Sequence, residues 1–163
     1  MSALNLPRFN VSIKNLRSAI DDYLNKEVNG EKLYKKAEAK AKENVQAEDE
    51  FRDDFCKYLE GKGYEVKKEA EVVAEPDSGM NCRLIDLMIC AKEADYVPIQ
   101  LKFDEEDEEE IGEDIGIVDN CIEHYDDITQ GYVILLTKVE NSKFERRLKM
   151  TAFPPYRYAI WFR

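Results

Sequence analysis

The sequence predicts an α/β domain. Three observations carry that expectation. Residues 11–60 have helical composition and spacing. Two short β-rich runs, joined by a polar turn, follow at 84–103. A continuous apolar run at 132–137 then comes after another helical stretch. Helices alternating with short strands call for a sheet covered by helices.

Residues 11–26 place Val11, Ile13, Leu16, Ala19, Ile20, Tyr23 and Leu24 at helical spacing, with Ser12 as N-cap. Asn29-Gly30 signals a break. Residues 31–60 lack Gly and Pro and abound in Ala, Lys and Glu, which predicts a long helix, or two with a kink near Val45. The first half has little apolar stripe beyond Leu33, Tyr34, Ala37 and Ala41. A solvated helix is expected there, with packing on a second subunit or along a phosphate backbone as the other readings. The second half sets Ala47, Phe51, Phe55, Tyr58 and Leu59 in a core-facing stripe. Glu48 lies close to that face, with Glu50 and Asp54 beside it. Gly61 and Gly63 end the helix. Residues 64–75 alternate as a strand, and Pro76-Asp77-Ser78-Gly79 reads as a turn. Residues 1–46 are therefore expected to be an N-terminal helical extension, and 47–163 the α/β domain.

The central stretch is a hairpin. Leu84 to Cys90 and Tyr96 to Phe103 are short and rich in β-branched and aromatic residues, with the polar turn 91–95 between them. Each run carries polar side chains that a fully buried strand would lack. Asp86 sits between Ile85 and Leu87. Gln100 and Lys102 flank Leu101 and share one face. An isolated buried charge is costly, so Asp86 and Lys102 each need a partner, a metal or water. On the residues alone, a structural Asp86–Lys102 ion pair, or strand faces open to water, stands beside a functional site.

Residues 104–114 hold nine acids in eleven positions, and self-repulsion predicts a solvated loop. Two sharper readings are a mimic of a phosphate backbone and a source of loose carboxylate ligands. Ile117, Val118, Cys121, Ile122 and Tyr125 then follow at helical spacing within 115–128. Residues 132–137, YVILLT, read as a strand buried on both faces. Residues 141–150 are polar and basic, helix or loop. Pro154-Pro155 breaks the chain, and 156–163 read as a last strand.

Composition bounds the function. The length of 163 residues suits one core, and no apolar run reaches the roughly 20 residues of a membrane helix. The N-terminal ten residues lack signal-peptide character, so cytoplasmic residence is expected. Cys56, Cys82, Cys90 and Cys121 form no C-x-x-C pair, and His124 is the sole histidine. That argues against structural zinc and against Ser-His-Asp or Cys-His hydrolysis. Net charge is −11, the opposite of a nucleic-acid footprint, yet it is uneven. Residues 1–46 carry nine bases to six acids and 138–163 seven to two, while the middle holds 27 of the 35 acids. The N-terminal arm and the basic residues of 143–149 are the candidates for backbone contact.

Ile85-Asp86, a spacer and Gln100-Leu101-Lys102 resemble the core motif of the PD-(D/E)XK nuclease superfamily, the restriction-endonuclease-like fold. There an Asp on one strand is followed by Glu-x-Lys on the next. Gln100 stands where Glu is commonest, and this Gln-x-Lys form resembles that of Mrr-type restriction enzymes. The resemblance implies an α-β-β-β-α-β core with a mixed sheet, preceded here by the helical extension. It implies metal-dependent hydrolysis of phosphodiester bonds in nucleic acid, DNA first, by a protein often homodimeric. Asp86, Gln100, Lys102 and Glu50 would be catalytic. Asp86, a helix acid (Glu50 first, Glu48 second, Asp54 also in range), Gln100 and the carbonyl of Leu101 would hold Mg²⁺ or Mn²⁺. The alternative is an inactive nuclease-like fold that binds or regulates a partner, through the acidic residues 104–114 among other surfaces. A third reading is an unrelated α/β domain with Asp86 and Lys102 as a structural pair.

Overall fold

The computed structural model describes residues 13–25, 27–44, 46–73, 82–91, 96–103, 108–137, 149–153 and 156–162. Three helices come first: α1 (Leu16–Asn25), α2 (Glu27–Lys42) and α3 (Ala47–Gly61). Then follow β1 (Glu65–Val73), β2 (Cys82–Cys90), β3 (Tyr96–Phe103), α4 (Glu108–His124), β4 (Tyr132–Thr137), β5 (Lys149–Phe153) and β6 (Tyr156–Phe162). The strands form one mixed sheet in the order β1-β2-β3-β4-β6-β5. The β3–β4 pair is parallel, and α4 makes the crossover between them; the other pairs are antiparallel. The molecule is therefore α/β with a mixed sheet, as the sequence predicts.

Two clusters of buried side chains cover the sheet. On one face, Leu16, Ile20 and Tyr23 of α1 and Phe51, Phe55 and Leu59 of α3 pack on Leu87, Ile89, Val97, Ile99, Leu101, Tyr132 and Ile134. Tyr23 stacks on Phe55 with ring centroids 4.8 Å apart. Of the helices before residue 47, α1 thus shares the main core. On the other face, Cys121 of α4, with Tyr125 and Ile128, packs on Ala70, Val72, Ile85, Met88, Cys90 and Tyr96. Cys56, Cys90 and Cys121 are buried and unbridged, as reduced core thiols.

Several local expectations are corrected. Asn29-Gly30 lies inside α2 instead of ending a helix. The first break comes earlier, between the end of α1 at Asn25 and the start of α2 at Glu27. The kink expected near Val45 falls between α2 and α3, where Asn44 turns left-handed at φ 64°; Asn tolerates that conformation better than most residues. The acid-rich stretch is not a loop throughout. Glu108 to Asp114 build the first turns of α4, because carboxylates at a helix N-terminus face the positive end of its dipole. At its far end α4 stops at His124, short of the expected 128. Lys149 and Met150, read as helix or loop, open β5, where pairing to β6 overrides their polar neighbours. Ser12, residues 76–79, 92–95, 104–107 and 141–148, and Pro154-Pro155 lie outside the described residues.

Candidate active site

β1 and β2 pair from Glu65↔Cys90 to Val73↔Cys82, interrupted only at Glu69, but β2 leaves β3 early. Their pairing runs from Cys90↔Tyr96 to Leu87↔Ile99 and stops, although β3 continues to Phe103. The next register step would set Asp86 opposite Gln100, and there side chains take over from the backbone. The Asp86 N–H donates to Gln100 Oε1 at 2.8 Å. Leu101 N–H donates to Asp86 Oδ2 at 2.7 Å. Phe103 N–H points to the same edge, roughly 7 Å further along. It donates to Glu48 Oε1 at 3.3 Å. Two carboxylates, one from β2 and one from α3, thus occupy the ladder donors that β2 abandons.

A backbone distortion accompanies this opening. Glu69 of β1 stands opposite Asp86 in register and drops out of the pairing, with φ at +55°. Such a value is strained for a residue with a Cβ. The inward-facing pattern changes at the same point. Val66 packs against the α1–α3 cluster, whereas Ala70 and Val72 belong to the α4 cluster. On β2, Leu87 and Ile89 face α1–α3, whereas Ile85 joins the α4 cluster. Both strands therefore break their period-2 alternation beside Asp86.

From the α4 face come Gln100 and Lys102. Gln100 Nε2 donates to Asp114 Oδ1 at 3.4 Å. Lys102 Nζ lies 3.6 Å from Asp114 Oδ2 and 3.7 Å from Glu110 Oε2. Glu110 and Asp114 are one turn apart and share a face of α4. Gln100 and Asp114 are buried, and Lys102 is nearly so. Arg52, one turn beyond Glu48 on α3, completes the rim. It pairs with Glu69 at 3.0 Å and Asp49 at 3.4 Å.

The charges bear on one another. Burial raises the Asp86 carboxyl above its ordinary pKa, against the pull of the Leu101 N–H, Lys102 and Arg52. Burial alone would depress the Lys102 ammonium. Asp114, Glu48, Glu110 and Asp86 together outweigh it and raise Lys102. Lys102 is therefore a fixed positive charge at neutral pH, not a base. Burial pushes Asp114 up to about 7, with Asp86 and Glu48 adding to the shift and Lys102 opposing it. Perturbed groups gathered in one place make this a candidate site, although structural ion-pair networks also shift such groups.

No family model, curated protein or solved structure matches the chain.

Asp86, Gln100, Leu101, Lys102 and Glu48 come together at the end of β3. Glu50 and Asp54 do not. Glu50 Oε1 pairs with Lys36 of α2 at 2.7 Å, and Asp54 Oδ2 accepts from the Tyr23 hydroxyl at 2.6 Å. A helix turns 100° per residue, so Glu48 and Arg52 share one face and Glu50 and Asp54 another. The proposed Asp86–Lys102 pair is not a direct contact among the described residues; Lys102 sits on the α4 acids. Asp114 was missed as a site residue because the acid run read as a loop. Its signal was Asp114 at helical spacing with Ile111 and Val118, both buried on α4. Among the described residues, no three His, Cys, Asp or Glu side chains stand grouped to hold a metal. The donors on offer are two carboxylates, an amide oxygen and a carbonyl.

Proposed function

We propose that this chain is a restriction-endonuclease-like domain that hydrolyses phosphodiester bonds in nucleic acid, DNA first, with Mg²⁺ or Mn²⁺. One observation carries the reading. A strand acid, an amide-x-lysine strand and a helix acid arrive at one edge from three separate elements. The order α3-β1-β2-β3-α4-β4, with β3 parallel to β4, supports it.

The donor chemistry fits a hard divalent cation. Mg²⁺ takes oxygen ligands and is commonly held by one or two carboxylates, with water filling the remaining positions. Asp86 and Glu48 would supply the carboxylates, and Gln100 Oε1 and the Leu101 carbonyl the neutral oxygens. The ion would polarise the scissile phosphate and acidify a bound water. The chain's own residues do the rest. The Leu101 N–H fixes the Asp86 carboxylate through one oxygen. Lys102 holds positive charge where negative charge builds on the phosphoryl oxygens. Arg52, anchored by Asp49 and Glu69, adds positive potential beside Asp86.

The second reading, a binding or regulatory protein on the same scaffold, has its own observation. Lys102 is countered by two acids of α4, and Gln100 brings no charge of its own.

Incubation with plasmid, single-stranded DNA and RNA in Mg²⁺ or Mn²⁺ separates the two. Hydrolysis of any of the three, abolished in a folded Lys102→Ala protein, is the expected outcome. No hydrolysis of any substrate would leave the binding reading in its place.

A further inference from the structure

Position 100 carries an amide where the motif usually carries an acid, and α4 accounts for it. The two ends of the Gln100 amide do different jobs. Its oxygen accepts from the Asp86 N–H, and its nitrogen donates to Asp114 Oδ1. The second carboxylate oxygen of Asp114 faces Lys102 Nζ. One carboxylate from the second turn of α4 therefore touches both polar residues on this face of β3. A Glu at position 100 would have no donor for Asp114 and would set two buried carboxylates against each other.

We propose that Asp114 is the positioning residue of this site: it fixes the amide of Gln100 and the ammonium of Lys102 together, and it is why position 100 is Gln. This rests on the nuclease reading, because the positioned groups are those assigned to the chemistry. The carboxyl group usual at position 100 is moved onto the facing helix. Asp114 touches no reacting atom. It acts through Gln100, whose oxygen it turns toward β2, and through Lys102, whose place beside Leu101 it sets.

The test is an exchange. Wild type, Gln100→Glu, Asp114→Asn and the double variant are compared by metal-free melting temperature and by single-turnover cleavage in Mn²⁺. Gln100→Glu is expected to melt lower and cleave slowly. Asp114→Asn is expected to melt no lower than wild type, yet cleave about tenfold or more slowly, the usual loss for an outer support of a site. The double variant keeps one donor facing one acceptor, with their places exchanged. The amide introduced on α4 can donate to the carboxylate introduced on β3, which still accepts from the Asp86 N–H. This variant is expected to recover both melting and rate. Wild-type cleavage by Asp114→Asn, or a double variant no better than the worse single one, would overturn the assignment. A wild type that cuts nothing removes the nuclease reading. The melting temperatures then still decide the Gln100–Asp114 pairing, by recovery or its absence in the double variant.

Discussion

Asp114 holds a proton far above the ordinary carboxylate range because its carboxyl is buried beneath α4. The sign of the consequence follows. Its folded pKa of about 7 exceeds its ordinary 3.8, so between those values the folded chain keeps a proton that the unfolded chain has lost. The stability this group contributes is present below pH 3.8 and is lost as pH rises through 7. The slope is roughly 1.4 kcal/mol per pH unit at its steepest. Melting temperature against pH should show that fall, and Asp114→Asn should flatten it. An unchanged profile in the variant would assign the slope elsewhere. At this scale the sequence spoke unevenly. Asp86, Gln100 and Lys102 were legible because a polar residue inside a short apolar strand must be explained. The choice of Glu48 over Glu50 was not, because both lie near one helix stripe and only the packing of α3 fixes its rotation. Asp114 was hidden in a run whose charge density reads as solvated.

Among the elements, β1 bears the strain of the opening. Glu69 holds φ at +55°, which costs about 1 kcal/mol for a residue with a Cβ. Glu69→Gly should offset the loss of its pairing with Arg52 and leave the melting temperature equal or higher. A drop of several degrees would mean that the Arg52 contact outweighs the strain. Gly131, just before β4, sits where α4, β3 and β4 meet. A Cβ there would collide with Val118 Cγ1 and press on the Pro98 ring at 3.1 Å. Gly131→Ala should destabilise by about 1–3 kcal/mol, the range for overpacking. Urea unfolding checks it. Strands β2 to β4 were legible because their apolar runs are bounded by turn residues, and β1 because its residues alternate. The start of α4 was not: charge repulsion argued for a loop, and the helix dipole and the burial of Ile111 and Asp114 won. The polar start of β5 was equally unreadable, since a strand paired to β6 takes its structure from its neighbour.

Taken whole, the molecule gathers its charged site where the sheet opens, between the N-terminal turns of α3 and α4. The surplus of acid sets a condition on any nucleic-acid substrate. With a net charge of −11, any such binding must rely on local positive groups to offset the field of the acids. Among the described residues no helix is long and apolar enough to cross a membrane. The α/β class followed from element order alone. The opening between β2 and β3 did not, because it depends on Asp86, Gln100 and Glu48 replacing backbone partners across strands. Thermal melting of metal-free protein titrated with Mn²⁺, beside Asp86→Ala, asks whether a divalent cation binds at the end of β3. An ion held by the folded state stabilises it by about 2.7 kcal/mol at a hundred times its dissociation constant. A rise of several degrees is expected in the wild type and none in Asp86→Ala. A wild type that does not shift, or an equal shift in both proteins, would contradict a metal site at the end of β3.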